Sequence, residues 1–452
     1  MAKDKLRDLE QKSIPRLILS YSVTTFAALA LNGVYTLTDA IFIGRGIGAD
    51  ALGGIAAVLP FIMLQGAVSS MTGGGAAILV SQLLGKNDKK KAGETVFAAA
   101  TAFWVASLLI TALGLIFIDP LLNALGVADN LKAYAEPYLR ILLIGTVFST
   151  GFSAVMRAEG KMLYALLQWV IPVSINIVLD GVLIFGFNMG AESAAYATLG
   201  CYIATFITAL LFFTRFSFLD FKNVRFKVKT LGGVLTVGLP SLVQMGSIAA
   251  GMALLNNALR TIGGGEPQIT YGIIGKIFMF CIVPLTAITQ VLQPIAGYNH
   301  GAGKPERIKT AMKYTVLFSL AAAALPLIIC ELAPRLLISI FTSDSALIDV
   351  AAPALRQVAA AFPFMFLPSA VGMLLQSTGK KLMAALLFAS SFIFVPPFAL
   401  LLGAAKGAAY IWLSFPIACA TASAIAAAVL FVFFKKYDKI FKPLKIDLEN
   451  NR

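Results

Sequence analysis

Charge is scarce in this chain. Only 13% of its 452 residues are Asp, Glu, Lys or Arg, against roughly 25% in a soluble domain. Hydrophobic residues make up 59%. That leaves too little polar material to cover a water-soluble particle, so a polytopic membrane protein is expected. Histidine is rarer still. His300 stands alone, at a span end within GYNHGAG, and no zinc-binding spacing exists. An intramembrane enzyme would need His, Cys or metal clusters, so no catalysis and no cofactor are expected. The four cysteines, Cys201, Cys281, Cys330 and Cys419, all lie in apolar runs, where they act as small hydrophobes. They give no case for a disulfide framework. A cleavable signal segment is also missing. The start, MAKDKLRDLEQKSIPR, is charged and amphipathic and is expected to lie on the membrane surface.

What is present is length without charge. A span needs about 20 predominantly apolar residues. Twelve are read, over 14–43, 50–83, 92–118, 132–156, 162–187, 192–214, 232–260, 269–299, 308–333, 350–376, 381–403 and 408–434. Of the 36 basic residues, 28 fall in the N-terminal tail, the even-numbered loops and the C-terminal tail. Seven fall on the opposite side: Arg45, Lys132, Arg140, Arg260, Arg335, Arg356 and Lys406. The positive-inside rule then puts both termini in the cytoplasm of a multi-pass cell-membrane protein. The basic clusters are 85–91, 222–229, 303–313 and 435–445. Their placement fits topology determination; the functional alternative is attraction to anionic lipid. Nucleic acid is not an expected partner, because the net charge of +14 is spread over loops on one side.

The two halves resemble each other. MRAEGKMLYALL (156–167) matches LQSTGKKLMAALL (375–387), and LLGKNDKKK (83–91) matches GAGKPERIK (301–309). DPLLNALGVAD (119–129) pairs with APRLLISIFTSD (333–344), and SAAYATLG (193–200) with GAAYIWLS (407–414). The offsets are roughly 214–219 residues and the order is kept, which indicates duplication. Six spans per half is an even number, so the repeat is parallel, a plan used by transporters. The expected organisation is a cytoplasmic tail (1–13), a six-span lobe (14–214), a solvated cytoplasmic linker (215–231), a second six-span lobe (232–434) and a cytoplasmic tail (435–452).

Three ionisable residues fall deep in spans: Asp39, Asp180 and Lys276. A carboxylate at the bilayer centre costs about 2.5–3.5 kcal/mol on insertion scales, so something must offset it. Asn32, Tyr35 and Asp39 share one helical face, as do Asn176 and Asp180; Thr198 lies in the next span. Hydroxyls and amides suit an acid that changes protonation state. Two neighbouring carboxylates could exchange a proton, or Asp39, Asp180 and Asn176 could hold Na+ through the same oxygens. The structural alternative is a helix cap, or an ion pair with Arg45. Lys276 could snorkel, pair across a cavity or repel cations. Met63, Met245 and Met279, with nearby phenylalanines, would suit variable lipophilic ligands, though ordinary packing also accounts for any one of them.

These stretches, with TDAIFIGRGIGADALGGIAAVLP (38–60), INIVLDGVLIFGFNMGAESAAYAT (175–198) and QPIAGYNHGAGK (293–304), resemble the multidrug and toxic compound extrusion (MATE) family over nearly the whole chain. The branch most similar is that of the bacterial MepA-like exporters. The resemblance implies an all-α membrane fold, with twelve transmembrane helices in two six-helix lobes around a cleft. It also implies export of organic cations, such as drugs and dyes, driven by protons or sodium. The cation site of one branch would fall on Tyr35, Asp39, Asn176, Asp180 and Thr198. Ser153 stands near a position where the family has asparagine. A second branch uses acids in spans 7 and 10; here neither span has one, and Gln244 is only a polar stand-in. Asn32, Met63, Gln244, Met245, Lys276 and Met279 are the expected substrate-cleft residues, and a monomer is expected. A lipid or lipid-linked oligosaccharide flippase of the same superfamily is the alternative.

Overall fold

The computed structural model describes residues 12–449 except 126, 128, 150, 223, 264, 342 and 343. Most of the amphipathic start expected on the membrane surface lies outside these residues. Among the described residues every regular element is helical. The first half holds α1 (Ile14–Gly46), α2 (Ala49–Ala57), α3 (Leu59–Gly85), α4 (Lys89–Ile116), α5 (Ile118–Ala124), α6 (Asp129–Gly145), α7 (Ser153–Ala158), α8 (Met162–Asp180) and α9 (Glu192–Arg215). The second holds α10 (Val228–Gly263), α11 (Gly265–Gly301), α12 (Pro305–Leu332), α13 (Pro334–Ser339), α14 (Ser345–Ala359), α15 (Phe362–Ser377), α16 (Lys381–Ile393), α17 (Val395–Lys406) and α18 (Ser414–Glu449).

Among the described residues, eleven helical stretches are long and apolar enough to cross a bilayer. The pair α14–α15 passes as a twelfth when taken together, bent by 44°. Pro363 at the start of α15 accounts for the break, since proline removes a backbone donor and clashes with the preceding turn. The expected span 50–83 is divided, with α2 separate from α3 and Pro60 in the first turn of α3. α4 shows why such helices suit lipid. Its 28 residues reach about 42 Å at 1.5 Å each. Small residues such as Ala92, Ala99, Ser107 and Gly114 face inward, while Leu108, Leu109, Leu113 and Ile116 face outward.

The chain forms two compact units. Among the described residues, unit 1 lies within 27–242, and unit 2 within 12–26 and 243–449. Two long helices change unit partway: the first turns of α1 belong to unit 2, and those of α10 to unit 1. Close backbone approach holds the start of α10 in unit 1. A side chain at Gly238 would overlap the Met71 carbonyl of α3, and one at Gly75 would overlap the Val234 carbonyl. Unit 1 has a core that includes Ile55, Phe61, Leu122, Leu139 and Leu142. The core of unit 2 includes Leu259, Ile274, Leu355, Phe362 and Trp412.

The repeat is visible in the turns. Gly160 and Gly379 both have left-handed backbone, φ 73° and 87°, and each follows a short helix before a lysine. Glycine adopts this conformation without strain, which explains why Gly-Lys recurs. Asn87 and Gly303, each directly before the N-cap of the following helix, are also left-handed, φ 59° and 67°.

The segment joining the halves is largely exposed but is tied to unit 1. Ser217 Oγ and the Phe218 backbone N–H both donate to the buried Glu159 carboxylate, at 2.8 and 2.7 Å. The Lys161 ammonium sits 4.1 Å from the Phe218 ring centroid. Further along, Lys227 pairs with Glu94 at 2.7 Å, and Glu94 is nearly buried. The linker is thus seated on unit 1 at two places. Glu159 and Glu94 give no local signal of this, because their partners are distant in sequence.

Candidate functional site

The intramembrane acids lie in unit 1. α9 packs along both α6 and α8. α8 carries Pro172 and ends at Asp180, after which Gly181–Gly186 forms a π-turn. Such turns recur at functional sites. The π-turn meets the end of α1 through an edge-on contact of Phe42 and Phe185, with centroids 5.4 Å apart. Asp39 is one turn before Phe42, and Asp180 is directly before the π-turn. Their carboxyl groups are close enough to interact electrostatically.

No Lys or Arg among the described residues neighbours either carboxyl. Asp39 Oδ1, both Asp180 oxygens, and Asn176 Oδ1 and Nδ2 are buried without a hydrogen-bond partner. Two ionised carboxylates in contact repel by about 4 kcal/mol at 4 Å and an effective dielectric constant of 20. One positive charge between them relieves this, whether a proton or a cation bound by oxygens. The four unengaged oxygens suit a small hard cation. Among the described residues, no group of three or more His, Cys, Asp or Glu side chains forms a metal cluster.

Hydroxyls surround the pair. Tyr35 lies beside Asp39, Tyr138, Cys201 and Tyr202. The Tyr138 hydroxyl is in hydrogen-bonding contact with Thr198 and close to both acids. Tyr35, Asp39, Asp180 and Thr198 are therefore gathered into one cluster, with Asn176 one turn below Asp180 on α8. Tyr138, Cys201 and Tyr202 are additional members. Tyr202 had a signal in the sequence, standing one turn after Thr198. Tyr138 had none, because only packing brings α6 to the acids.

Ser153 is placed elsewhere. It opens α7 and accepts a 3.5 Å bond from Arg157 Nη1. α7 leads to the start of α8, whereas Asp180 ends that helix, roughly 27 Å away along its axis. The expected cleft residues divide between the units. Asn32 and Met63 are in unit 1; Gln244, Met245, Lys276 and Met279 are in unit 2. Met63, Met245 and Met279 are exposed. The carbonyl of Asn32 accepts from Thr36, and that of Gln244 from Ser247. Lys276 is exposed, its ammonium 5.8 Å from the Phe341 ring centroid.

Comparison with known proteins bears on this arrangement. The chain is 24% identical over 361 residues to the multidrug export protein MepA of Staphylococcus haemolyticus, covering 78% of each chain. It is 26% identical over 394 residues to the probable multidrug resistance protein YpnP of Bacillus subtilis, covering 86% of this chain and 88% of that one. Among solved structures it resembles a MOP-superfamily transporter of Pyrococcus furiosus described as having a binding pocket of reverse polarity. There the TM-score is 0.88 at 21% identity, covering 96% of this chain and 98% of the other. An outward-facing multidrug resistance MATE transporter gives a TM-score of 0.87 at 22% identity, with the same coverage. The structural likenesses show a shared fold. The MatE family model matches residues 25–182 and 270–401, more than half of the chain, and the chain belongs to this family of membrane transporters.

Proposed function

We propose that the protein is a secondary antiporter that exports lipophilic organic cations in exchange for protons or sodium. Asp39 and Asp180 are its coupling pair. One observation carries this reading: two intramembrane carboxyls that interact electrostatically, with buried oxygens lacking hydrogen-bond partners and no cationic side chain among the described residues beside them. An acid pair without a resident counter-ion can take its positive charge from solution and return it. Asn176, Tyr35, Tyr138 and Thr198 can donate to the charged form or accept from the protonated one. The names of the staphylococcal relatives support drugs as the substrate class.

In the proposed cycle, the outward-open state takes up the coupling cation at the acid pair and releases drug. The two lobes rock, the cation leaves to the cytoplasm, and the emptied site favours a new organic cation. Either charge can shift the conformational balance only through different affinities for the two states. The protein works as a monomer in the cell membrane, with both termini in the cytoplasm. Ser153 is a weaker candidate than the clustered residues, given its place at the other end of α8.

The test is dye transport by the reconstituted protein under separate proton and sodium gradients, repeated with Asp39→Asn and Asp180→Asn. The gradient that drives export identifies the coupling ion. Unchanged gradient-driven transport in both variants would remove the pair from the mechanism. Movement of glycan-linked lipid without cation transport would favour a flippase.

A further inference from the structure

The linker face of unit 1 shows a charge asymmetry that transport does not explain. Every acid there is engaged internally. Asp88 pairs with Lys91, Glu94 with Lys227, Glu159 with Ser217 and Phe218, and Asp220 accepts from the Lys222 backbone N–H. The bases are treated differently. Lys89, Lys90, Arg215, Lys222, Arg225 and Lys229 are all exposed, and among the described residues none has a carboxylate partner. Lys89 and Lys90 join this face because the Asp220 N–H donates to the Lys89 carbonyl.

Apolar side chains stand between these charges. Phe216, Phe221, Phe226 and Val228 are 37–74% exposed, while Phe218 and Leu219 turn inward. A water-facing loop would gain nothing from showing three aromatic rings. The segment runs between two span ends, Arg215 and Val228, so it lies at the level where lipid headgroups meet acyl chains. Aromatics and basic residues at that level bind by partial insertion and by attraction to anionic headgroups. Its anchors at Glu159 and Glu94 hold it in place, so little ordering is required on binding.

We propose that residues 215–222 and 224–229, seated on unit 1, form a docking surface for anionic phospholipid headgroups. Lys222, Arg225 and Lys229 contact the phosphates, and Phe221 and Phe226 enter the upper acyl region. This goes beyond antiport, and its readout is lipid retention, so its failure leaves the transport reading untouched.

The test places the full-length protein in nanodiscs of mixed phosphatidylglycerol and phosphatidylcholine, extracts it gently and measures retained lipid by mass. The wild type is expected to retain phosphatidylglycerol preferentially, and less so at high salt. Lys222→Gln/Arg225→Gln/Lys229→Gln should lower that preference by about fivefold per charge removed at low salt. Lys435→Gln/Lys436→Gln, at the end of the span Ala409–Lys436, should keep most of it. Equal preference in the triple variant and the wild type would overturn the proposal, as would an equal loss in the control. If the triple variant does not fold, Phe226→Trp carries the test. Its added fluorescence should be quenched more by brominated phosphatidylglycerol than by brominated phosphatidylcholine; equal quenching overturns the proposal.

Discussion

The carboxyl groups of Asp39, on α1, and Asp180, at the end of α8, are electrostatic neighbours, with no lysine or arginine among the described residues beside them. Removing one charge should therefore relieve the fold while disabling its use. Asp180→Asn is expected to raise or preserve the thermal midpoint, since an unsatisfied buried charged group costs at least about 1–3 kcal/mol. Gradient-driven dye export should fall at least about tenfold, the cost of losing roughly 1.4 kcal/mol of coupling. Thermal unfolding in detergent and liposome transport check the two halves separately. A large loss of stability would mean that the charge is structurally required.

Tyr138 touches Thr198 and approaches both acids. Tyr138→Phe removes one hydroxyl and little volume. Losing such a bond is worth about 0.5–1.5 kcal/mol, so the midpoint of transport against coupling-ion concentration should shift about two- to tenfold. The maximal rate should change less. A shifted midpoint separates a role in ion binding from a packing role, which would lower expression or stability instead.

Glu159 lies between spans, fully buried. Burial pushes its carboxyl up from the ordinary 4.5 to about 7, against the opposing effects of the Phe218 N–H, Ser217 and Lys161. Seated, the acid holds a proton that a freed linker would release. Seating is therefore strongest below about 4.5, weakens as pH rises toward about 7, and levels off above that. Hydrogen exchange in 216–229, corrected for intrinsic rate, should be more protected at pH 5 than at pH 8. Glu159→Gln should flatten the profile. A wild-type profile already flat across this window would refute the assignment.

Gly238 meets the Met71 carbonyl so closely that a side chain would overlap it. Gly238→Ala must shift backbone against backbone and should cost about 1–3 kcal/mol. Gly246, on the same helix, has nothing within 4 Å of an added Cβ, and Gly246→Ala should be neutral or stabilising by up to about 1 kcal/mol. Thermal midpoints of the two variants make the comparison.

The repeat was legible because four stretches recur in order; in one of them Gly160 and Gly379 recur where left-handed backbone favours glycine. Asp39 and Asp180 were legible because charge is costly in a bilayer. Tyr138 was not, since an interior tyrosine resembles any other span residue until α6 packs on α9. The linker's two anchors were not legible for a related reason: Glu159 and Glu94 are distant from it in the chain.

Composition and periodicity alone determined that this chain crosses a membrane many times as helices, that it is duplicated, and that two acids lie within spans. These properties follow from transfer free energy and local backbone preference, which act residue by residue. Tertiary structure alone decided that the two acids are neighbours and which tyrosines surround them. It also decided that α1 and α10 change unit partway along and that the linker is seated rather than free. Each of those depends on contacts between residues far apart in sequence, where shape and distance, rather than residue type, set the outcome.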